Sequence, residues 1–134
     1  MKKVEHIGIA VNDLGNAIAL FEKLFNQNHY KIQEVKSEGV STSFFQLGET
    51  KIELLQATDP DSTISKFIDK RGEGIHHIAF EVEDIDSEMK RLKSEGFELI
   101  HTKAKDGADN KKVCFLHPKS TNGVLIELCQ EKGC

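Results

Sequence analysis

The sequence has no excess of basic residues, no paired cysteines and no long apolar run, and each lack removes a class of function. With 22 acidic groups against 18 basic ones, the net charge is −4. A protein that tracks a phosphate backbone needs a basic face, so no nucleic acid is expected as a partner. A local basic pocket for a small anion remains compatible with this balance. The three cysteines, Cys114, Cys129 and Cys134, form no CxxC or CxxxC pair, and their odd number argues against a disulfide framework. No apolar stretch approaches the roughly 20 residues that a membrane helix requires. The opening MKKVEH enters a strand pattern without the apolar region of a signal peptide. The expectation is an unprocessed, soluble chain in the reducing cytoplasm, with no membrane partner.

What the sequence does have is an internal repeat. HIGIAVNDL at 6–14 returns as HIAFEVEDI at 77–85, a spacing of 71 residues, and KIELLQ at 51–56 returns as LIELCQ at 125–130, which separates Glu53 from Glu127 by 74. Repetition fixes architecture before any propensity argument does. The length of 134 residues, with 38% apolar and 30% charged residues, is that of one ordinary domain. Each half alone is near the size at which burial barely offsets chain entropy. The halves are therefore expected to share a core or to pair across a homodimer.

Periodicity gives both halves the same order of elements. Residues 3–11 alternate as a strand, and Asn12 or Asp13 can cap a helix whose stripe is Leu14, Ala17, Ile18, Phe21, Leu24 and Phe25. Strands follow at 30–37, 40–47 and 51–56. A turn at 58–62 and a short helix around Ile64, Phe67 and Ile68 link the halves and stop at Gly72 and Gly74. Residues 75–82 repeat the first strand, and Asp84, Ile85, Met89 and Leu92 repeat the capped helix. A strand starts at 97–101, a loop spans 103–110, and strands at 111–117 and 123–129 complete the chain. The fold class is α+β: one domain of two β-α-β-β-β modules, at about 3–57 and 74–130, forming a curled mixed-sheet cup.

Alternation along a strand puts His6 on the face opposite Ile7, and Glu53 and Glu127 on the face opposite Ile52, Leu54, Ile126 and Leu128. The aliphatic residues would pack on helices. The other face then carries His6 and His77 from the first strands with Glu53 and Glu127 from the last. A single histidine in a strand is usually just packed, but an inward carboxylate without a partner costs several kcal/mol of desolvation. Two such carboxylates, each in register with an imidazole, point to a divalent borderline metal such as zinc, cobalt, nickel, manganese or iron. His76 aligns with Glu5 rather than His6, so it reads as structural or supporting. His29, His101 and His117 have no counterpart in the repeat and read as surface residues.

The repeat, together with GEGIHHIAFEV at 72–82, FLHPKS at 115–120 and GVLIEL at 123–128, resembles the methylmalonyl-CoA epimerase family of the vicinal-oxygen-chelate, or glyoxalase-type, superfamily. The resemblance covers nearly the whole chain. It implies R/S interconversion at C2 of a coenzyme A thioester by proton transfer through an enolate. It also implies a divalent ion, commonly cobalt, held by His6, His77 and Glu127 with Glu53 in the fourth position. Thr42 stands where some relatives carry a glutamate considered as a base. Glu127 and Glu53 are then the candidate acid-base groups, and Lys119 and Ser120 could contact the substrate carboxylate or coenzyme phosphates. Two other readings share this fold: a glyoxalase-I-like lyase acting on a glutathione hemithioacetal, and a non-catalytic small-molecule binding module. An extradiol dioxygenase fits less well, because its 2-His-1-carboxylate iron site would leave the second half's pair unexplained.

Overall fold

A computed structural model of the chain describes residues 1–132. Cys134 lies outside them. The element order is β1 (Lys3–Ala10), α1 (Leu14–Phe25), β2 (Lys31–Val35), β3 (Val40–Leu47) and β4 (Thr50–Ala57), then α2 (Thr63–Arg71). It continues with β5 (Gly74–Glu81), α3 (Ile85–Ser94), β6 (Lys105–Gly107), β7 (Lys111–Leu116) and β8 (Ile126–Glu131). This is the α+β class with β-α-β-β-β twice over. The chain divides into two compact units, one of Ile7–His76 and the other of Met1–His6 with the residues from His77 onward, so the boundary cuts through β1 and β5.

In the unit formed by Ile7–His76 the strand order is β2-β3-β4-β1, with antiparallel hairpins joining β2 to β3 and β3 to β4. Residues directly opposite in such a pair share a face. Ser43 with Leu54 and Phe45 with Ile52 face α1, where Val11, Leu14, Ala17, Ile18, Phe21 and Phe25 complete a core. Asp13 caps α1 by accepting from the Asn16 amide at 2.9 Å, and Asn26 ends it in the left-handed region. Leu24, which the spacing puts on the stripe, sits at its edge and is 67% exposed. The helix read as a mere link has a packing role. Ile64, Phe67 and Ile68 of α2 cover Ala10, Val40, Leu55 and Ala57, so Leu54 and its neighbour Leu55 feed two different cores.

In the other unit the order is β1-β5-β8-β7-β6, with β5 and β8 parallel and the remaining described pairs antiparallel. Asp84 caps α3, and Ile85, Met89 and Leu92 pack on Val82, Cys114, Leu116 and Leu128. The partners Glu127 and Phe115, Cys129 and Val113, and Glu131 and Lys111 lie on the opposite face. One stretch departs from the sequence reading. Residues 97–101 carry only an isolated bridge between Leu99 and Leu116, and the strand forms inside the segment read as a loop. Asp109 and Asn110 both take φ of 58°, which Asp and Asn tolerate well, and this reversal lets Lys105–Gly107 pair back onto β7.

The hairpin between β2 and β3 depends on Gly39 (φ 62°), because a Cβ there would meet the Cβ of Asp59 at 2.8 Å and that of Ser62 at 3.1 Å. Gly48 has a similar φ of 60° with nothing within 4 Å. Gly48→Ala should therefore lower stability by about 1–2 kcal/mol, the left-handed strain alone. Gly39→Ala should lose about 1–3 kcal/mol more through overpacking. Urea midpoints of the two variants measure the difference directly.

Candidate metal centre

His6, His77 and Glu127 meet in the unit that contains all three, with one ligand atom from each lying within 4.8 Å of the others. The register explains how. The parallel pairing of β5 and β8 sets Ala79 beside Glu127, so His77, two residues earlier on the same face, stands just off the carboxylate, and the small Ala79 leaves room. Leu128, one residue along, is buried against α3. All three residues are buried, at 6% exposure or less.

The imidazole Nε2 atoms of His6 and His77 are 3.0 Å apart, with the rings nearly perpendicular. Glu127 Oε1 lies 3.2 Å from His77 Nε2 and 3.6 Å from His6 Nε2. Three electron-rich atoms this close in a dry setting require a shared proton or a cation among them. Two of the three separations, 3.0 and 3.2 Å, suit a cation, and the third, 3.6 Å, is slightly long for one. Ligands about 2.1 Å from one ion, at angles between octahedral and tetrahedral, are roughly 3.0–3.4 Å apart, and the N, N, O set is one that borderline divalent metals accept.

Burial alone would raise the Glu127 carboxyl, but the charge of His6 and hydrogen bonds from His6 and His77 outweigh it. The group is held well below its ordinary value of 4.5. Behind the cluster stands Glu5, which the sequence reading passed over. Its Oε1 accepts from His6 Nδ1 at 2.6 Å, and its Oε2 lies 3.9 Å from the buried Lys111 Nζ. The signal was available as an acidic residue between Val4 and His6 in a strand that goes on as Ile-Gly-Ile-Ala, at the repeat position that His76 fills in the second half.

The other sequence-derived site residues are placed as follows. Glu53 belongs to the unit formed by Ile7–His76, where it is buried on β4 opposite Phe44, on the face that also carries Thr42 and Leu55. Thr42 is buried as well. Lys119 and Ser120 lie in a short 3-10 turn, Pro118–Ser120. The exposed Lys119 Nζ is 3.1 Å from Glu98 Oε1, while Ser120 Oγ accepts from the Glu98 amide at 3.2 Å and donates to the His117 carbonyl at 3.0 Å. His76 stands edge-on to Phe67 at 4.9 Å, within its own unit. Cys114 is a core sulfur whose thiol is pushed up to about 12 by burial first and then by the Glu127 and Asp86 charges.

Comparison with known proteins gives a consistent result. Residues 5–115 match the family described as Glyoxalase/Bleomycin resistance protein/Dioxygenase superfamily. An ethylmalonyl-CoA/methylmalonyl-CoA epimerase of Cereibacter sphaeroides is 41% identical over 130 residues, covering 96% of this chain and 97% of that one. The crystal structure of a methylmalonyl-CoA epimerase from Mycobacterium tuberculosis is similar with a TM-score of 0.92 and 34% identity, covering 97% of this chain and 88% of that chain. A Streptomyces coelicolor methylmalonyl-CoA epimerase in complex with 2-nitronate-propionyl-CoA gives a TM-score of 0.95 at 28% identity, covering 99% of this chain and 96% of that chain.

The depressed Glu127 carboxyl has a stability consequence in metal-free protein. A group whose folded value lies below its unfolded one stabilises the fold above the unfolded value, and that contribution drains away as pH falls through the folded value. The difference in urea midpoint between the metal-free chain and its Glu127→Gln variant should be constant near neutrality and shrink progressively as pH falls below about 4.5.

Proposed function

This chain belongs to the glyoxalase/bleomycin resistance protein/dioxygenase superfamily, and we propose that it interconverts the two C2 epimers of methylmalonyl-CoA by moving a proton at that carbon. Its fold is of the glyoxalase type. The observation that carries the reading is the convergence of two imidazole nitrogens and one carboxylate oxygen at 3.0–3.6 Å in a buried setting, within a chain that matches epimerases along nearly its full length.

The C2 proton lies between a thioester carbonyl and a carboxylate and is only weakly acidic until the charge that builds on the thioester oxygen is stabilised. A divalent ion, with cobalt the first choice and zinc, manganese or nickel as alternatives, would supply Lewis-acid stabilisation when held by His6, His77 and Glu127, and the family resemblance adds Glu53 as a fourth ligand. The imidazoles add no charge as ligands, so the carboxylates set the net charge at the site. Epimerisation needs a proton taken from one face and returned to the other, which calls for two acid-base groups or one group with a water. Thr42 has no proton-accepting charge to offer, so Glu127 and Glu53, one from each module, are assigned as the pair. While the imidazoles hold Glu127 low it is a weak base, and loosening of those contacts on substrate binding would raise its basicity. Lys119 and Ser120 are assigned to the substrate's anionic groups. The exposed pair between Lys119 and Glu98 is worth little in water, so its ammonium can be drawn to a phosphate or carboxylate. The modest size of each unit favours a homodimer as the working form.

Solvent deuterium uptake at C2 of methylmalonyl-CoA, followed by NMR, tests the proposal with metal-loaded and chelator-treated protein side by side. Fast exchange in the loaded sample, abolished by the chelator, is the expected result. Glu127→Gln and Glu53→Gln should each slow epimerisation by about 100-fold or more. No exchange with any divalent metal would overturn the reading.

A further inference from the structure

We propose that Glu5 is the residue that positions His6, holding the ring by its Nδ1–H so that Nε2 is the nitrogen turned toward His77 and Glu127. The inference rests on the metal-centre reading given above. An ionised carboxylate accepts hydrogen bonds and cannot donate them, so the 2.6 Å contact between Glu5 Oε1 and His6 Nδ1 places the ring proton on Nδ1. Nε2 is then the nitrogen available to an ion, the atom 3.0 Å from His77 Nε2 and 3.6 Å from Glu127 Oε1. Both partners are almost completely buried, at 2% and 4% exposure, and no bulk water competes for the bond.

A carboxylate in that setting needs compensation, and it is present. Lys111, itself buried on β7, brings its Nζ to 3.9 Å from Glu5 Oε2 and 3.5 Å from Glu131 Oε1. Cation, carboxylate and imidazole thus form a chain of contacts from β7 to β1 that ends on His6. An outer carboxylate of this kind fixes ring orientation and raises the basicity of the nitrogen on the far side. Glu5, His6 and the buried Cys129 also lie close enough together to hold an ion of their own. That arrangement would need His6 Nδ1 bare, which the bond to Glu5 opposes, and Cys129 Sγ instead points at the Phe80 carbonyl oxygen at 3.6 Å.

Two readouts separate this proposal from the one it rests on. Long-range 1H–15N correlation spectra of the metal-free protein, with His6 assigned by the signal lost in His6→Gln, should show a proton held on His6 Nδ1. Glu5→Ala should move His6 toward the Nε2–H form. Competition titration with zinc or cobalt should give one ion per chain, with affinity about 10–100-fold weaker in Glu5→Ala. Glu5→Gln keeps shape and an accepting oxygen but not the charge, so it should retain the tautomer and lose less affinity; it also carries the test should the alanine variant fold poorly. An Nε2–H tautomer of His6 in the parent protein, or metal affinities of both variants equal to the parent's, would overturn the proposal. A parent that binds neither metal would sink the metal-centre reading, while the tautomer would still decide the role of Glu5.

Discussion

A carboxylate buried in a protein interior must be met by positive charge or by hydrogen-bond donors, and the packing of this chain from His77 onward is arranged around that requirement. Glu127 answers it with two imidazoles, Glu5 with one imidazole and the Lys111 ammonium. Neither carboxylate could sit where it does without those partners. The residues that surround them are small or aromatic: Ala79 beside Glu127, Phe115 opposite it and 5.8 Å from the His77 ring, and Val113 near Cys129. These exclude water without adding polar groups that would have to be satisfied in turn.

Register is what keeps the polar cluster separate from the core. On β8 the even-numbered Ile126 and Leu128 pack toward α3, and the odd-numbered Glu127 and Cys129 face away. A slip of one residue would drive Glu127 into the α3 core and expose Leu128. The slip is opposed from both sides, since β8 is held by β7 through six residue pairs and by β5 through four. The same logic operates in the unit formed by Ile7–His76, where Ile52 and Leu54 serve the α1 core and Glu53 shares its face with Leu55. Stability and site geometry are therefore set by one pattern of alternation.

That pattern is why so much was legible in the sequence. Alternation at period 2, repeated at a spacing of about 70 residues, singled out His6, His77 and Glu127, which meet in one unit, and Glu53, which is buried on β4 in the other, and it gave both modules their element order. It could not find what breaks the pattern. Glu5 precedes His6 and should face away from it, yet its long side chain reaches the neighbouring ring, a contact that alternation alone does not announce. The strand β6 was hidden because Asp, Gly and Asn signal a turn without saying that the residues before it pair with β7. The packing role of α2 was hidden because its few apolar residues read as a link, and only β4, with Leu54 and Leu55 serving opposite faces, shows that a second helix is needed.

The two modules have kept equivalent donors and changed what supports them. Glu5 and His76 hold the same place in the repeat, one residue before the donor histidine, and they have parted completely. Glu5 is turned toward His6 and hydrogen-bonds its ring, whereas His76 lies against Phe67 of α2 in the other unit. The Glu5 carboxylate, bonded to Nδ1, fixes the orientation of the His6 ring, while the edge of Phe115 packs against His77. The repeat thus preserves the histidines and not their surroundings, and two positions that are equal by sequence carry different neighbours.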